Sequence, residues 1–434
     1  MASKSAGRPP VRRAPDQWAT LGGCKRVLVA VHTLVYGQRL QDIFELLRSD
    51  LRIQVVFTVP PHAFNPGVHA FLRGLGAVVL PWEEAVRSEF DLALATGSQG
   101  IEQIQGPVVR LPHGAGNIKL SRPADGGQRT VGGLGRGYLT WAGRVVPAAV
   151  ALAHHDDLDQ LRRWCPEALP FAEVVGDACY DRIAASLPQR AAYRRELGIG
   201  EEETFVLVAS TWGLGSSFNR LDALLPRLLT ELPPGSHRTA LLLHPNVWAG
   251  HGRWQIEAWL SEAARRRIHL IPPEADWRTL LVAADAVIGD HGSVTLYGSM
   301  TGVPVLLARF PFQDVNPHSP GACLARTAPA LSVGHPLADQ LAYARENYRP
   351  EPYARIADRI SSEPGRFNRK VRQLLYRLLG LGEPAYEPAT APLPLPSPLQ
   401  LPEPVPVPQP VPQPLPLPDR PAGPDADRAL PWAG

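Results

Sequence analysis

Cysteine is scarce in this chain. Cys24, Cys165, Cys179 and Cys323 are the only four in 434 residues, and none forms a CxxC pair. Neither a zinc site nor a disulfide framework is expected, and reduced cysteines in a cytosolic setting are the simplest reading. A charge excess of either sign is also missing. The 44 basic and 41 acidic side chains leave a formal net charge of +3. That lacks the concentrated basic excess of a dedicated nucleic-acid binder. No uninterrupted apolar run is long enough to span a bilayer, and the best stretch, Tyr138 to Ala153, is cut by Arg144 and Pro147. The N-terminal segment is basic and polar, without the apolar core of a signal peptide, so a cytoplasmic protein is expected. The patterns GxxxxGKS/T, HExxH, GxSxG and DxDxDG are absent, which argues against a P-loop ATPase and gives no indication of metal ligation.

Proline, by contrast, is abundant: 47 residues, crowded towards the C-terminus. From about Glu383 the chain reads as alternating prolines, which enforce polyproline II and remove backbone donors. Residues 383–434 are therefore expected to be a disordered Pro-rich tail with no apolar face. It would serve as a stiff spacer or as a ligand for a proline-reading domain. Residues 1–23 read as a disordered basic arm. The chain between them is long enough for two domains with real cores.

Apolar strand patterns alternate with helical ones through this middle part. KRVLVAVHTL, IQVVFTV, FDLALAT and GPVVRLP read as strands of a first series. ETFVLVAS, HRTALLLHP, IHLIPP, AVIGD and GVPVLLA read as strands of a second. Such alternation implies parallel sheets covered on both faces, in two Rossmann-like lobes, 24–170 and 171–382, with C-terminal helices in the second. The last helical pattern places Phe367, Val371, Leu374, Leu375 and Leu378 on one face, with Arg366, Arg369, Lys370 and Arg372 around it. It reads as a surface helix packed on a lobe, or alternatively as a peripheral membrane-surface helix.

Open α/β sheets bind ligands beyond the carboxyl ends of their strands, so the residues following each strand matter most. Four positions stand out. In Leu111-Pro112-His113-Gly114, a histidine ends a strand and glycine allows close approach of a substrate. The plainer reading is a histidine bonding a loop carbonyl. In Ala209-Ser210-Thr211-Trp212, hydroxyls end a strand and can hold phosphate oxygens, or serve as ordinary caps. In Leu243-His244-Pro245, proline stops the strand and leaves an imidazole at the cleft edge, where it can steady a phosphate. In Gly289-Asp290-His291-Gly292-Ser293, a strand runs into a turn and then a helix. The helix N–H groups and the Ser293 hydroxyl suit an anion there. Asp290 braces that loop, holds a ribose, or caps the helix. The glycine run Gly132 to Gly137 does not match GxGxxG and reads as a mobile loop.

Together, His113-Gly114 with Lys119, Ser210-Thr211-Trp212, His244-Pro245, and Asp290-His291-Gly292-Ser293 ahead of Gly302-Val303-Pro304 resemble the CDP-glycerol glycerophosphotransferase family. Gly176-Asp177 with Tyr180-Asp181 resembles that family's segment before the second lobe. The resemblance covers roughly residues 100–310. It implies a GT-B fold whose lobes face a central cleft, the first binding acceptor and the second binding the nucleotide donor. It implies transfer of glycerophosphate, or a related phosphoalditol group, from a CDP-linked donor to a cell-envelope polymer or lipid-linked acceptor. That reaction needs no cofactor and suits a cytoplasmic position, including one peripheral to the inner face of the membrane. By the same resemblance His113 is the acceptor-activating base and His244 a second catalytic group. Ser210, Thr211, His244, Asp290, His291, Gly292 and Ser293 fall on the donor, and Gly114 and Lys119 on acceptor or phosphate. The His-Gly-Ser turn is also similar to the donor loop of nucleotide-sugar glycosyltransferases, which makes a sugar donor the alternative. A third reading is a non-catalytic scaffold of the same shape, recruiting a partner through its Pro-rich tail.

Overall fold

In the computed structural model, which describes residues 21–121 and 129–399, the apolar runs form two parallel sheets. The first contains β1 (Lys25–Ala30), β2 (Ile53–Thr58), β3 (Val79–Leu80), β4 (Leu92–Ala95), β5 (Val108–Arg110), β6 (Ala149–Leu152) and β7 (Ala172–Val174). Its spatial order is β7-β6-β5-β4-β1-β2-β3. The second contains β8 (Thr204–Ser210), β9 (His237–Leu243), β10 (Ile268–Ile271), β11 (Ala286–Gly289) and β12 (Val305–Leu307), in the order β10-β9-β8-β11-β12. Every residue of β4 and β11 is buried, as befits strands covered by helices on both faces.

In each sheet the strand order reverses next to its first strand, between β1 and β4 and between β8 and β11. Such a reversal leaves a crevice beyond the carboxyl ends of the strands. The two lobes turn these ends towards one cleft, and residues following β5, β6, β8, β9 and β11 all line it. This is a GT-B-like arrangement.

Charged side chains tie the lobes together below the cleft. Asp42, on α1 (Leu34–Phe44) of the first lobe, accepts hydrogen bonds at 2.7 Å from both Arg182 and Arg278. Arg182 lies on α2 (Ala178–Ser186), where the chain passes into the second lobe. Asp276 holds the other side of Arg278. Each charge in this buried set has a partner of opposite sign, the condition under which buried ions are tolerated.

The lobe limits differ from those expected. β7 pairs with β6, so the first sheet continues past residue 170. The terminal helix, Phe367–Leu379, returns to the first lobe. Its Phe367, Val371, Leu374, Leu375, Tyr376 and Leu379 pack in one core with Val27, Val29, Leu40 and Leu92. Burying each such side chain contributes roughly 1.5–3 kcal/mol. The apolar face offered as a membrane-surface helix is therefore covered by protein. Among the described residues no helix is long and apolar enough to cross a membrane.

The Pro-rich segment also departs from expectation where it is described. Residues 383–399 lie against the lobes. Leu393 is 3% exposed and belongs to the core of the second lobe. Its carbonyl accepts from the Tyr193 hydroxyl at 2.6 Å, and its N–H donates to Ser186 Oγ at 2.9 Å. Earlier in the segment, Glu383 pairs with Arg372 and the Tyr386 hydroxyl meets Ser49 of the first lobe. An extended proline-rich strand has no backbone partners of its own, yet its carbonyls can accept from side chains and its leucines can fill a groove. The rest of the expected tail, 400–434, and residues 1–20 of the expected arm lie outside the described residues.

Candidate active site

The first lobe supplies the loop after β5. Pro112 cannot continue the ladder, and the chain turns outward at His113. Asn117 is held in a left-handed conformation (φ 42°) and donates to Asp157 at 2.7 Å. This fixes the loop that carries Lys119. Gly114 sits where the lobes nearly touch: a Cβ there would lie 2.5 Å from Ser293 Oγ of the second lobe. The glycine leaves room for that side chain.

The second lobe supplies three strand ends. Asp290 follows β11 and is almost fully buried. It accepts backbone N–H groups from Thr211 at 3.0 Å, Ser217 at 2.9 Å and Gly292 at 3.0 Å. Burial raises its carboxyl pKa, against these donors and nearby Lys119. Ser210 donates to Thr211 O and Asp290 and accepts from Phe218 N–H at 2.8 Å. The oxygens of both side chains are thus engaged by neighbouring groups inside the lobe, although Ser210 and Asp290 also border the cleft. Asp290 holds the Thr211 and Gly292 backbone in place. It does not cap the following helix, whose first residue is preceded by Gly292. That helix, Ser293–Tyr297, has only five residues, so an anion beside it depends on side chains more than on a helix dipole.

His244 is the N-cap of the helix Pro245–His251. Its Nδ1 accepts the Asn246 N–H at 3.1 Å. An accepting Nδ1 in a neutral ring places the proton on Nε2, leaving a donor for the cleft. Desolvation, then Lys119 and His113, lower its pKa to about 3. The ring is therefore neutral and offers the cleft a hydrogen bond, not a charge. His291 is buried, its Nδ1 has no partner among the described residues, and desolvation followed by Lys119 and Arg309 lowers its pKa to about 3.

The ten candidate site residues border one cleft of about 320 Å³: His113, Gly114 and Lys119 from the first lobe, and Ser210, Thr211, His244, Asp290, His291, Gly292 and Ser293 from the second. The two histidines that end strands in different lobes, His113 and His244, are close enough to act on each other electrostatically. His113 lies open to the cleft, with its ring 5.0 Å from that of Tyr36. Desolvation, then Arg110, Arg39 and Lys119, push its pKa down, which keeps the imidazole neutral. Lys119 reaches across to Thr211 Oγ1 and lies over the Trp212 ring at 5.1 Å.

The chain shares its fold with the wall teichoic acid polymerase TagF. The two overlay with TM-score 0.54 over 82% of this chain and 88% of TagF, at 12% identity. TagF soaked with CDPG overlays with TM-score 0.55 over the same shares, again at 12% identity. Anabaena HepE, in complex with UDP and glucose, overlays more loosely, with TM-score 0.47 over 82% of this chain and 99% of its own, at 15% identity. No protein-family model and no curated protein matches the sequence. The likeness to TagF lies in the fold, a GT-B-like pair of parallel lobes.

Sequence reasoning missed several residues of the cleft. Arg110, Tyr36, Arg39 and Tyr138 border it alongside the expected set. A readable signal existed for Arg110, a charge ending the otherwise apolar strand Val108–Arg110. Tyr36 and Arg39 lie on α1, and no strand-end rule selects them. The glycine run read as a mobile loop has a structural place: Gly132 and Gly133 line the cleft, and Gly132 N–H donates to Lys119 O at 2.9 Å.

Proposed function

We propose that this chain is a transferase that moves a glycerophosphate, or a related phosphoalditol group, from a CDP-activated donor to a cell-envelope polymer or lipid-linked acceptor. One observation carries the reading. A neutral, cleft-facing His113 from one lobe shares the cleft with a donor-type His244 and Ser293 from the other, beside Lys119 and Arg110, which have no carboxylate within ion-pair distance among the described residues. That is the equipment for activating a hydroxyl against a diphosphate. The TagF-like fold, seen in TagF soaked with CDPG, supports the same choice.

In this reaction His113 takes the proton of the acceptor hydroxyl as its oxygen bonds to the distal phosphorus of the donor. The bond between that phosphorus and the bridging oxygen breaks, and CMP leaves. Nε2–H of His244 and the Ser293 hydroxyl hydrogen-bond the phosphate oxygens, and Lys119 offsets their charge. Asp290 and Ser210 hold the Thr211 and Gly292 backbone in place.

A nucleotide screen by thermal shift, followed by product analysis, tests this. Cytidine nucleotides should raise the melting temperature by mass action, and turnover should release CMP. Release of UDP or another nucleoside diphosphate would instead identify a sugar transferase. Absence of any nucleotide binding would favour a scaffold.

A further inference from the structure

Among the described residues three arginines are buried, and two of them are paired with carboxylates, as is the part-buried Arg39. Arg278 has Asp42 and Asp276, Arg39 has Asp177, and Arg372 has Glu383. Arg110 is the exception. It is 4% exposed, and no carboxylate among the described residues lies within ion-pair distance. Its Nε donates to Ser98 Oγ at 3.3 Å and its Nη1 to Leu111 O. Its Nη2 has no hydrogen-bond partner among the described residues, and the side chain borders the cleft.

Two phenols share its surroundings. Tyr36 and Tyr138 both border the cleft and both interact electrostatically with Arg110. The Tyr138 hydroxyl meets Ser121 Oγ at 2.7 Å, whereas the Tyr36 hydroxyl has no hydrogen-bond partner among the described residues. A buried guanidinium without a counter-ion is costly, and an incoming anion would supply the missing charge. Arginine's planar fork matches two oxygens of a phosphate.

We propose that the first lobe carries its own anion site, formed by Arg110 with the hydroxyls of Tyr36 and Tyr138, which takes a phosphate monoester or diester group of the acceptor. This rests on the two-substrate reading above. Arg110 ends the strand that leads into His113, so the phosphate is held beside the base. The donor contacts His244, Thr211 and Ser293 lie on the other lobe. The acceptor is then a phosphorylated alcohol and not a neutral glycan, and the site selects it.

The test titrates methyl phosphate into the full chain by calorimetry, with and without saturating CMP. The variants are Arg110→Gln, Arg110→Lys, Tyr36→Phe and Ser293→Ala. Methyl phosphate should bind the wild type in both conditions. R110Q should weaken it about ten- to a hundredfold, the order of a lost hydrogen bond to a charged group. R110K, which keeps the charge without the fork, should fall between, and Y36F should lose several-fold. S293A should bind methyl phosphate as the wild type does. If R110Q does not fold, R110K and Y36F decide, since neither leaves a buried cavity. Unchanged affinity in R110K and Y36F overturns the site, and so does equal loss in S293A, which would put the phosphate in the donor site. If CMP fails to bind while methyl phosphate binds and depends on Arg110, the donor reading fails and the anion site stands.

Discussion

The Lys119 ammonium, on a loop of the first lobe, donates to Thr211 Oγ1 of the second at 2.9 Å. No carboxylate among the described residues pairs with this cation, and desolvation lowers its pKa. The bond closes the cleft with a charge that an incoming phosphate would attract more strongly than a hydroxyl does. Lys119→Met should therefore weaken nucleotide affinity about ten- to a hundredfold while leaving the melting temperature nearly unchanged. Calorimetric titration and a thermal scan of the variant check both parts. A large drop in melting temperature with unchanged affinity would make Lys119 a structural clasp.

The cleft histidines give the protein a pH dependence of known sign. His244 and His291 each fall from 6.5 to about 3 on folding. A depressed folded pKa contributes stability that is complete above the unfolded value and is lost as pH falls through the folded one. Melting temperature should decline between pH 6.5 and about 3 in the unliganded protein. A bound diphosphate opposes the lowering by adding negative charge, so nucleotide binding at about pH 6 should take up protons. Calorimetry in two buffers of different ionisation enthalpy reads this directly. Proton release on binding would contradict it.

Asp290 should matter for stability as well as for binding. Replacing it by Ala leaves the Thr211, Ser217 and Gly292 N–H groups without their acceptor. The expected cost is about 3 kcal/mol or more, and nucleotide affinity should fall because the His291–Ser293 turn loses its brace. Chemical denaturation measures the first effect and titration the second. A variant as stable as the wild type would show that the carboxylate is dispensable to the fold.

Strand ends were the legible part of the site. Buried parallel strands announce themselves as short apolar runs, and the residue after each run must face the cleft, which located His113, His244 and Ser293. The same rule does not reveal how polar side chains are spent. Ser210 and Asp290 have the right types and positions for a ligand, but their oxygens satisfy neighbouring backbone and side-chain donors. Tyr36 reaches the cleft from a helix, and only tertiary packing puts it beside His113. The Pro-rich composition was misleading at Leu393 for a related reason. Composition counts donors and apolar content but does not show that Tyr193 and Ser186 hold the strand in a groove. Phe367–Leu379 was legible as an amphipathic helix, but not the lobe that covers it.

Truncation at Gly382 should destabilise the chain. It removes Leu393 from its core and the hydrogen bonds of its backbone with Tyr193 and Ser186. The burial of Leu393 alone is worth roughly 1.5–3 kcal/mol. Truncation after Leu399 is the control and should melt close to the full chain. Equal melting of the two truncated chains would show that residues 383–399 contribute nothing.

The central claim is a division of labour across the cleft, and one pair of variants tests it. Nucleotide affinity and turnover are measured for His113→Ala and Ser293→Ala with a CDP-activated donor. His113→Ala should keep donor affinity and lose about a hundred- to ten-thousandfold in rate, the usual contribution of a general base. Ser293→Ala should weaken donor binding about ten- to a hundredfold, because in the proposed reaction its hydroxyl touches the phosphate before and during the transfer. Loss of nucleotide binding in His113→Ala, with binding kept in Ser293→Ala, would reverse the two roles. No change in either variant would mean that the cleft is not where the chemistry occurs.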